Sequence, residues 1–386
     1  MSAPALIGIR TSAAVSDRDL APTLDRWQID GGVTAVFLAT HSASGYAATP
    51  HARYYSNTLL GPPMSNADAL EPLLASAATR DLAVYSALSE STAADQARRL
   101  PGWVEVLEID VFGRRGQLPC FRNPDYRNWW LSVAEDQVKS YPVSGLSYTL
   151  DRPTPLTSVL SQNAPTCFCT HCCAQADRQR IDADRAREGF RQLLDPAGPT
   201  AVAVSGGENP AVVLFRILLR FPEVAAWESL WMQGYLGLQQ QQYGAVKAIA
   251  PQVAVGWHLP SAYADSPLYR AQDPLAERAR YADFLSHGTV RRRRVERPVL
   301  GVSARTADSF AADVLGVPLS VIEADKNDGD GGQPSTYVQI ADSDDVAVAL
   351  QAGADGVIYT EVLGTDAQGA ALKSAAQAVL RRGDTP

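Results

Sequence analysis

Short apolar runs rich in β-branched and aromatic residues recur along the chain, and longer stretches with apolar positions at helical spacing separate them. The runs are Ala5–Arg10 (ALIGIR), Val33–His41 (VTAVFLATH), Leu82–Glu90 (LAVYSALSE), Gly145–Arg152 (GLSYTLDR), Val253–Leu259 (VAVGWHL), Tyr281–Gly288 (YADFLSHG), Pro318–Asp328 (PLSVIEADKND) and Asp355–Val362 (DGVIYTEV). Each reads as a buried strand. The intervening DALEPLLASAATRD and NPDYRNWWLSVAEDQVKSY carry an apolar stripe, and the second opens on Asn-Pro, a helix start signal.

Buried strands alternating with amphipathic helices predict an α/β fold with a parallel sheet and right-handed crossovers. Eight such units fit a closed (β/α)8 TIM barrel better than the alternative, a doubly wound open sheet. GIRTSA after the first run has neither G-x-G-x-x-G nor a Walker lysine, so no phosphate loop supports the open sheet. About a hundred residues separate the fourth and fifth runs. That is too long for a plain crossover and predicts a helical insertion above the barrel mouth. The expected organisation is one catalytic domain over 1–386, with a zinc-loop and helical insertion at 153–250 inside it.

Composition narrows the function. With 386 residues, 46% of them hydrophobic and 20% charged, the chain reads as globular. A net charge of −8 argues against a nucleic-acid partner. The start, MSAPALIGIRTSAAVSD, lacks a cationic region followed by an apolar core, and no run of about 18 apolar residues occurs. The expectation is a cytoplasmic enzyme without a membrane partner, acting on a small substrate, with homo-oligomerisation open and no organic cofactor.

In a barrel the carboxyl ends of the strands carry the chemistry. The polar residues there are Arg10, His41, Glu90, Asp151 with Arg152, His258, His287, Glu323 with Asp325, and Glu361. Carboxylates converging on one cavity suit glycosidic cleavage, in which one protonates the leaving oxygen and the other attacks the anomeric carbon or activates water. Asp151 is the expected general acid, and Asp325 its partner, with Glu323 two residues earlier on the same face. Arg10, His41, Glu90, Arg152, Trp257, His258 and Glu361 are the expected substrate-binding residues, the indole by stacking on a sugar face. The Arg291–Arg294 run reads as a solvated face, or as attraction for a carboxylated or sulfated substrate. Two further readings stay open: a lyase or isomerase acting on an oxidised sugar through His258 or Glu361, and a sugar-binding barrel without catalysis.

CFCTHCC, residues 167–173, holds four of the five cysteines. Cys167 and Cys169 share a face in extended chain, and Cys172 can turn back to the same point. Tetrahedral zinc needs a fourth ligand, for which Cys120 is the candidate, with His171 and Cys173 as substitutes. Such a closed site would be structural, joining the loop after the fourth strand to the loop after the third. Reduced buried thiols and a redox role are the alternatives.

The segments CFRNPDYRNWWLSVAEDQVKSYPVSGLSYTLDRPTPL, CFCTHCCAQA, LLRFPEVAAWESLW, VAVGWHL and SPLYRAQDPLAERARYADFL together resemble uncharacterised bacterial glycosyl-hydrolase-like TIM-barrel proteins. Those are similar in turn to glycoside hydrolase family 42, the β-galactosidases of the large retaining barrel clan. The resemblance runs from about residue 100 to 290. It implies a glycosidase of carbohydrate metabolism, with zinc on Cys120, Cys167, Cys169 and Cys172. It also implies an acid/base on strand four (Asp151) and a nucleophile on strand seven (Asp325 or Glu323). The clan's acid is normally a glutamate preceded by asparagine, whereas Leu150-Asp151 stands here.

Overall fold

A computed structural model describes residues 5–12, 19–42, 45–46, 60, 68–89, 102–149, 152–160, 163–195, 198, 206–259, 281–287, 334–340, 349 and 354–360. Eight parallel strands form the sheet: β1 (Leu6–Ser12), β2 (Ala35–Ser42), β4 (Ala83–Ser89), β7 (Gly145–Thr149), β8 (Ala254–Leu259), β9 (Phe284–His287), β10 (Ser335–Ile340) and β11 (Gly356–Thr360). β1 pairs with both β11 and β2, so the sheet closes into an α/β TIM barrel. The two-residue β3 (Gly45–Tyr46) folds back antiparallel on the end of β2.

Alternation along each strand sorts side chains into two layers. Phe37, Tyr85, Phe284, Tyr337 and Ile358 pack together inside the barrel. Phe37 stacks on Tyr85 with centroids 4.5 Å apart, and Phe284 meets Tyr85 edge-on at 5.5 Å. Glycines make room for these rings: a Cβ at Gly145 would stand 2.6 Å from Tyr85, and one at Gly256 would run into Phe284. The opposite face of the strands (Val36, Val84, Leu146, Tyr148, Val255, Trp257) forms the main core with the surrounding helices. Those include α1 (Leu20–Gly31), α2 (Leu70–Ala78) and α4 (Pro124–Ser140). Asn123 starts α4 as expected, its side chain accepting from the backbone N–H of Asp125 at 2.9 Å.

A second core sits beside the first. The one-turn α3 (Trp103–Val106) leads into the hairpin β5 (Leu107–Ile109) and β6 (Arg115–Pro119). Between β7 and β8 come α5 (Pro155–Leu160), α6 (Thr170–Arg178), α7 (Ala183–Leu194), α8 (Pro210–Arg220) and α9 (Pro222–Ile249). Val111, Cys120, Leu156, the residues of the CFCTHCC stretch, Phe190, Ile217 and Trp227 make up this core. Phe168 stacks on Trp227 at 4.3 Å. Helix α9 belongs to both: Val224, Trp227 and Leu230 lie in the second core, and Trp231, Tyr235, Leu238 and Val246 in the first.

One strand differs from the expectation. β10 pairs with β9 on one side and β11 on the other, so STYVQI fills the seventh place in the barrel and leaves no slot there for 318–328. The segment Pro318–Asp328 lies outside the described residues. The reason is physical: an inward face of Ser335, Tyr337 and Gln339 made the true strand look too polar beside the more apolar PLSVIEA. The carboxyl end of the seventh strand is therefore followed in the chain by Asp342, an acid that the sequence reading passed over. The fourth strand is described over Gly145–Thr149; Arg152, the next described residue, lies outside it.

Candidate functional site: the barrel mouth and a four-thiol centre

At the carboxyl end of the barrel, four polar side chains follow the aromatic layer. Arg10 on β1 reaches across to β7 and donates from Nη2 to Thr149 Oγ1 at 3.0 Å. Thr149 stands level with His258 on β8, and His258 with Ser286 on β9. His258 Nδ1 lies 3.0 Å from Ser286 Oγ. Thr149, His258 and Ser286 are buried and Arg10 is partly buried. Burial pulls the Arg10 guanidinium below its ordinary pKa, because desolvation penalises the charged form.

The other expected substrate contacts fall differently. Trp257 is next to His258 in the chain and so points to the other side of the strand. It is 1% exposed, stacks on Tyr148 at 4.8 Å and donates from Nε1 to the Tyr281 carbonyl at 2.7 Å. The structure therefore places this indole in the strand–helix core rather than at the mouth. Arg152 is also turned away from solvent. Its Nη1 donates to Glu108 Oε1 at 2.8 Å, and the other Glu108 oxygen accepts from Thr166 at 2.8 Å. The guanidinium lies over the Phe121 and Tyr126 rings at 5.4 and 5.9 Å. Glu108, 44 positions upstream, carries no motif that would have announced it. Asp151, Asp325, Glu323, Glu90, Glu361 and the Arg291–Arg294 run lie outside the described residues, as does the side chain of His41.

The thiols do assemble. The Sγ atoms of Cys120, Cys167, Cys169 and Cys172 all lie within 4.8 Å of one another, and all four residues are buried. Cys120 Sγ is 3.6 Å from Cys172 Sγ and 3.5 Å from Cys169 Sγ. A tetrahedral zinc with bonds of about 2.3 Å requires sulfur–sulfur edges of roughly 3.8 Å. The donor set thus fits a four-coordinate ion and can hold one. All five cysteines are free thiols. Hydrogen bonds from the other three thiols drive Cys169 far below the ordinary thiol pKa, while burial holds Cys167 well above it.

Local backbone geometry brings the ligands in. The Cys120 N–H donates to the Val106 carbonyl at 2.7 Å, fixing the turn after β6. The Phe168 N–H donates to Ile109 at 2.7 Å, tying the C-x-C stretch to β5. Cys172 sits in the first turn of α6. His171 is held away from ligation, its Nε2 3.4 Å from Asn123 Nδ2, and Cys173 Sγ lies 3.5 Å from the Phe168 carbonyl.

No family model matches the sequence, and no curated protein does either. Solved structures do match by fold. A β-galactosidase from the psychrophilic Marinomonas ef1 superposes with a TM-score of 0.56 at 13% identity, covering 98% of this chain and 59% of its own. The β-galactosidase from Rahnella sp. R3 gives 0.55 at 14%, covering 99% and 56%. The enzyme from the Antarctic haloarchaeon Halorubrum lacusprofundi gives 0.53 at 14%, covering 99% and 58%. At such identities the likeness concerns the barrel fold, and the chain spans little more than half the length of these neighbours. Among the described residues, no helix is long and apolar enough to cross a membrane.

Proposed function

We propose that the chain is a glycoside hydrolase, cleaving a terminal unit from a small glycoside or oligosaccharide at the carboxyl end of the barrel. The observation that carries this reading is the joint one: a barrel with the fold of β-galactosidases across nearly its whole length, and a four-sulfur centre made by the residues that the family 42 resemblance selects. In this reading Asp151, two residues beyond β7, protonates the leaving oxygen. The second carboxylate comes from the segment between β9 and β10, with Asp325 and Glu323 as candidates, or from Asp342 just after β10. Arg10, His258, Glu90 and Glu361 contact the saccharide. Zinc is the ion we assign to the thiols, in a structural role, since four protein ligands leave no open position for substrate.

The proposed organisation is a single catalytic domain with the zinc loop and helices of 153–250 set into it. Five free thiols support a reducing, cytoplasmic setting. No nucleic-acid or membrane partner is implied, and a homo-oligomer is compatible with this reading.

The test is turnover of a panel of nitrophenyl glycosides by the full chain, repeated with Asp151→Asn, Asp325→Asn, Glu323→Gln and Asp342→Asn. Removal of the acid should lower kcat/KM by about 10²–10⁴-fold, and one of the other three should do at least as much. Undiminished activity of Asp151→Asn would refute the assignment. Turnover of oxidised sugars without any glycoside cleavage would transfer the protein to the lyase or isomerase class.

A further inference from the structure

Among the described residues of the eight barrel strands, Arg10 is the only one with a permanent charge; the others are apolar, hydroxylic, amide or imidazole. Among the described residues no carboxylate pairs with it, and its hydrogen-bond partner is the neutral hydroxyl of Thr149. Desolvation lowers its pKa. A guanidinium drawn out of water normally brings its own counter-charge. Nor is Arg10 sealed in: the residue is only partly buried.

A structural hydrogen bond to Thr149 does not explain the charge, since a neutral amide would serve. A saccharide of hydroxyls alone does not need it either. Thr149, which receives Arg10, stands level with His258, and His258 with Ser286; all three can donate, and Ser286 and His258 are 3.0 Å apart. The planar guanidinium is the side chain best matched to an oxyanion, which it grips through two parallel N–H groups.

We propose that Arg10 receives a negatively charged group on the substrate, so that the saccharide taken at this mouth carries an oxyanion, a carboxylate or a sulfate ester. This rests on the reading of the mouth as a saccharide site and adds the class of sugar. Arg10 is then a specificity-determining residue: it selects among saccharides and takes no part in breaking the bond.

The experiment is calorimetric titration of the full chain with D-glucuronate, D-galacturonate, galactose 6-sulfate and neutral galactose, at low and high salt. At least one charged sugar should bind about tenfold or more tightly than galactose, with the preference shrinking at high salt. Arg10→Gln should abolish the preference, weakening the charged sugar at least about tenfold more than galactose, and Arg10→Lys should keep part of it. A uronate preference identifies the carboxylate, and a preference for the sulfated sugar identifies the ester. Equal binding of charged and neutral sugars by the unmodified protein, or failure of every charged sugar to bind, would overturn the proposal. So would a preference that survives in a folded Arg10→Gln. Should that variant not fold, Arg10→Lys and the salt dependence of the unmodified protein decide. Because the readout is binding, the two proposals fail separately: Arg10-dependent binding without glycoside cleavage removes the hydrolase, and cleavage without charge preference removes the anion site.

Discussion

Arg10 and Arg152 make a useful pair, because both sit near the ends of β7 and both have left bulk water, yet their surroundings differ in kind. Arg152 faces Glu108, and that carboxylate is completed by Thr166, with two aromatic rings beneath the guanidinium. Every charge there is matched. Two of those partners adjoin thiol ligands in the chain, Thr166 before Cys167 and Phe121 after Cys120. The arrangement is scaffold: it locks β5, the segment after β7 and the thiol centre into one piece. Among the described residues, Arg10 has a hydroxyl for company and no carboxylate. A buried charge that the protein satisfies itself holds the structure together, whereas one it leaves unsatisfied awaits something from outside.

The comparison breaks most visibly if its scaffold side proves dispensable. Cys169→Ser should reduce bound metal to less than about half an equivalent and cost more than about 5 kcal/mol of unfolding free energy. Elemental analysis of protein purified without added metal, beside urea titration, checks both. Unchanged stability would show the sulfurs to be bystanders.

The two arginines should then respond with opposite sign. Glu108→Gln leaves Arg152 buried without its counter-charge and should destabilise by about 3–5 kcal/mol. Replacing both partners, as Glu108→Leu with Arg152→Met, should recover most of that loss. Arg10→Gln should lie within about 1 kcal/mol of the unmodified protein. Equal losses at Glu108 and Arg10 in the same denaturation series would erase the distinction drawn here.

A smaller effect comes from a buried acid on the scaffold side. Glu228 on α9 is pushed up to about 7 by burial, against hydrogen bonds from Thr154 and the Leu156 N–H, the latter at 2.9 Å. The folded chain therefore keeps a proton that the unfolded chain releases near its ordinary value of 4.5. Stability attached to this group is full below that value and falls as the pH climbs to about 7, by roughly 3 kcal/mol in total. Glu228→Gln should flatten that stretch of the stability–pH curve, measured by denaturation at successive pH values. An unaltered slope would mean that the carboxyl titrates normally.

Much of this was legible in the chain, and the exceptions have physical causes. Apolar runs such as VTAVFLATH and VAVGWHL identify strands because both faces of a parallel barrel strand are buried. The thiol spacing identifies a ligand set because short-range geometry alone converges Cys167, Cys169 and Cys172. STYVQI is hard to read as a strand because its inner face places polar Ser335 and Gln339 on either side of Tyr337. Trp257 and His258 were both assigned to the mouth although neighbours on a strand must face opposite ways. The Glu108–Arg152 pairing is long-range and belongs to no motif, so nothing local could have revealed that Arg152 was already engaged.

Helix α9, with its 28 residues, is about 42 Å of continuous rod. Its leading third is wedged among the side chains around the thiol centre, and the rest is wedged behind the barrel wall. Neither region can be excised or transplanted intact, since any cut strips a face from the other. The mouth thus inherits its rigidity from a part of the molecule that no substrate need touch.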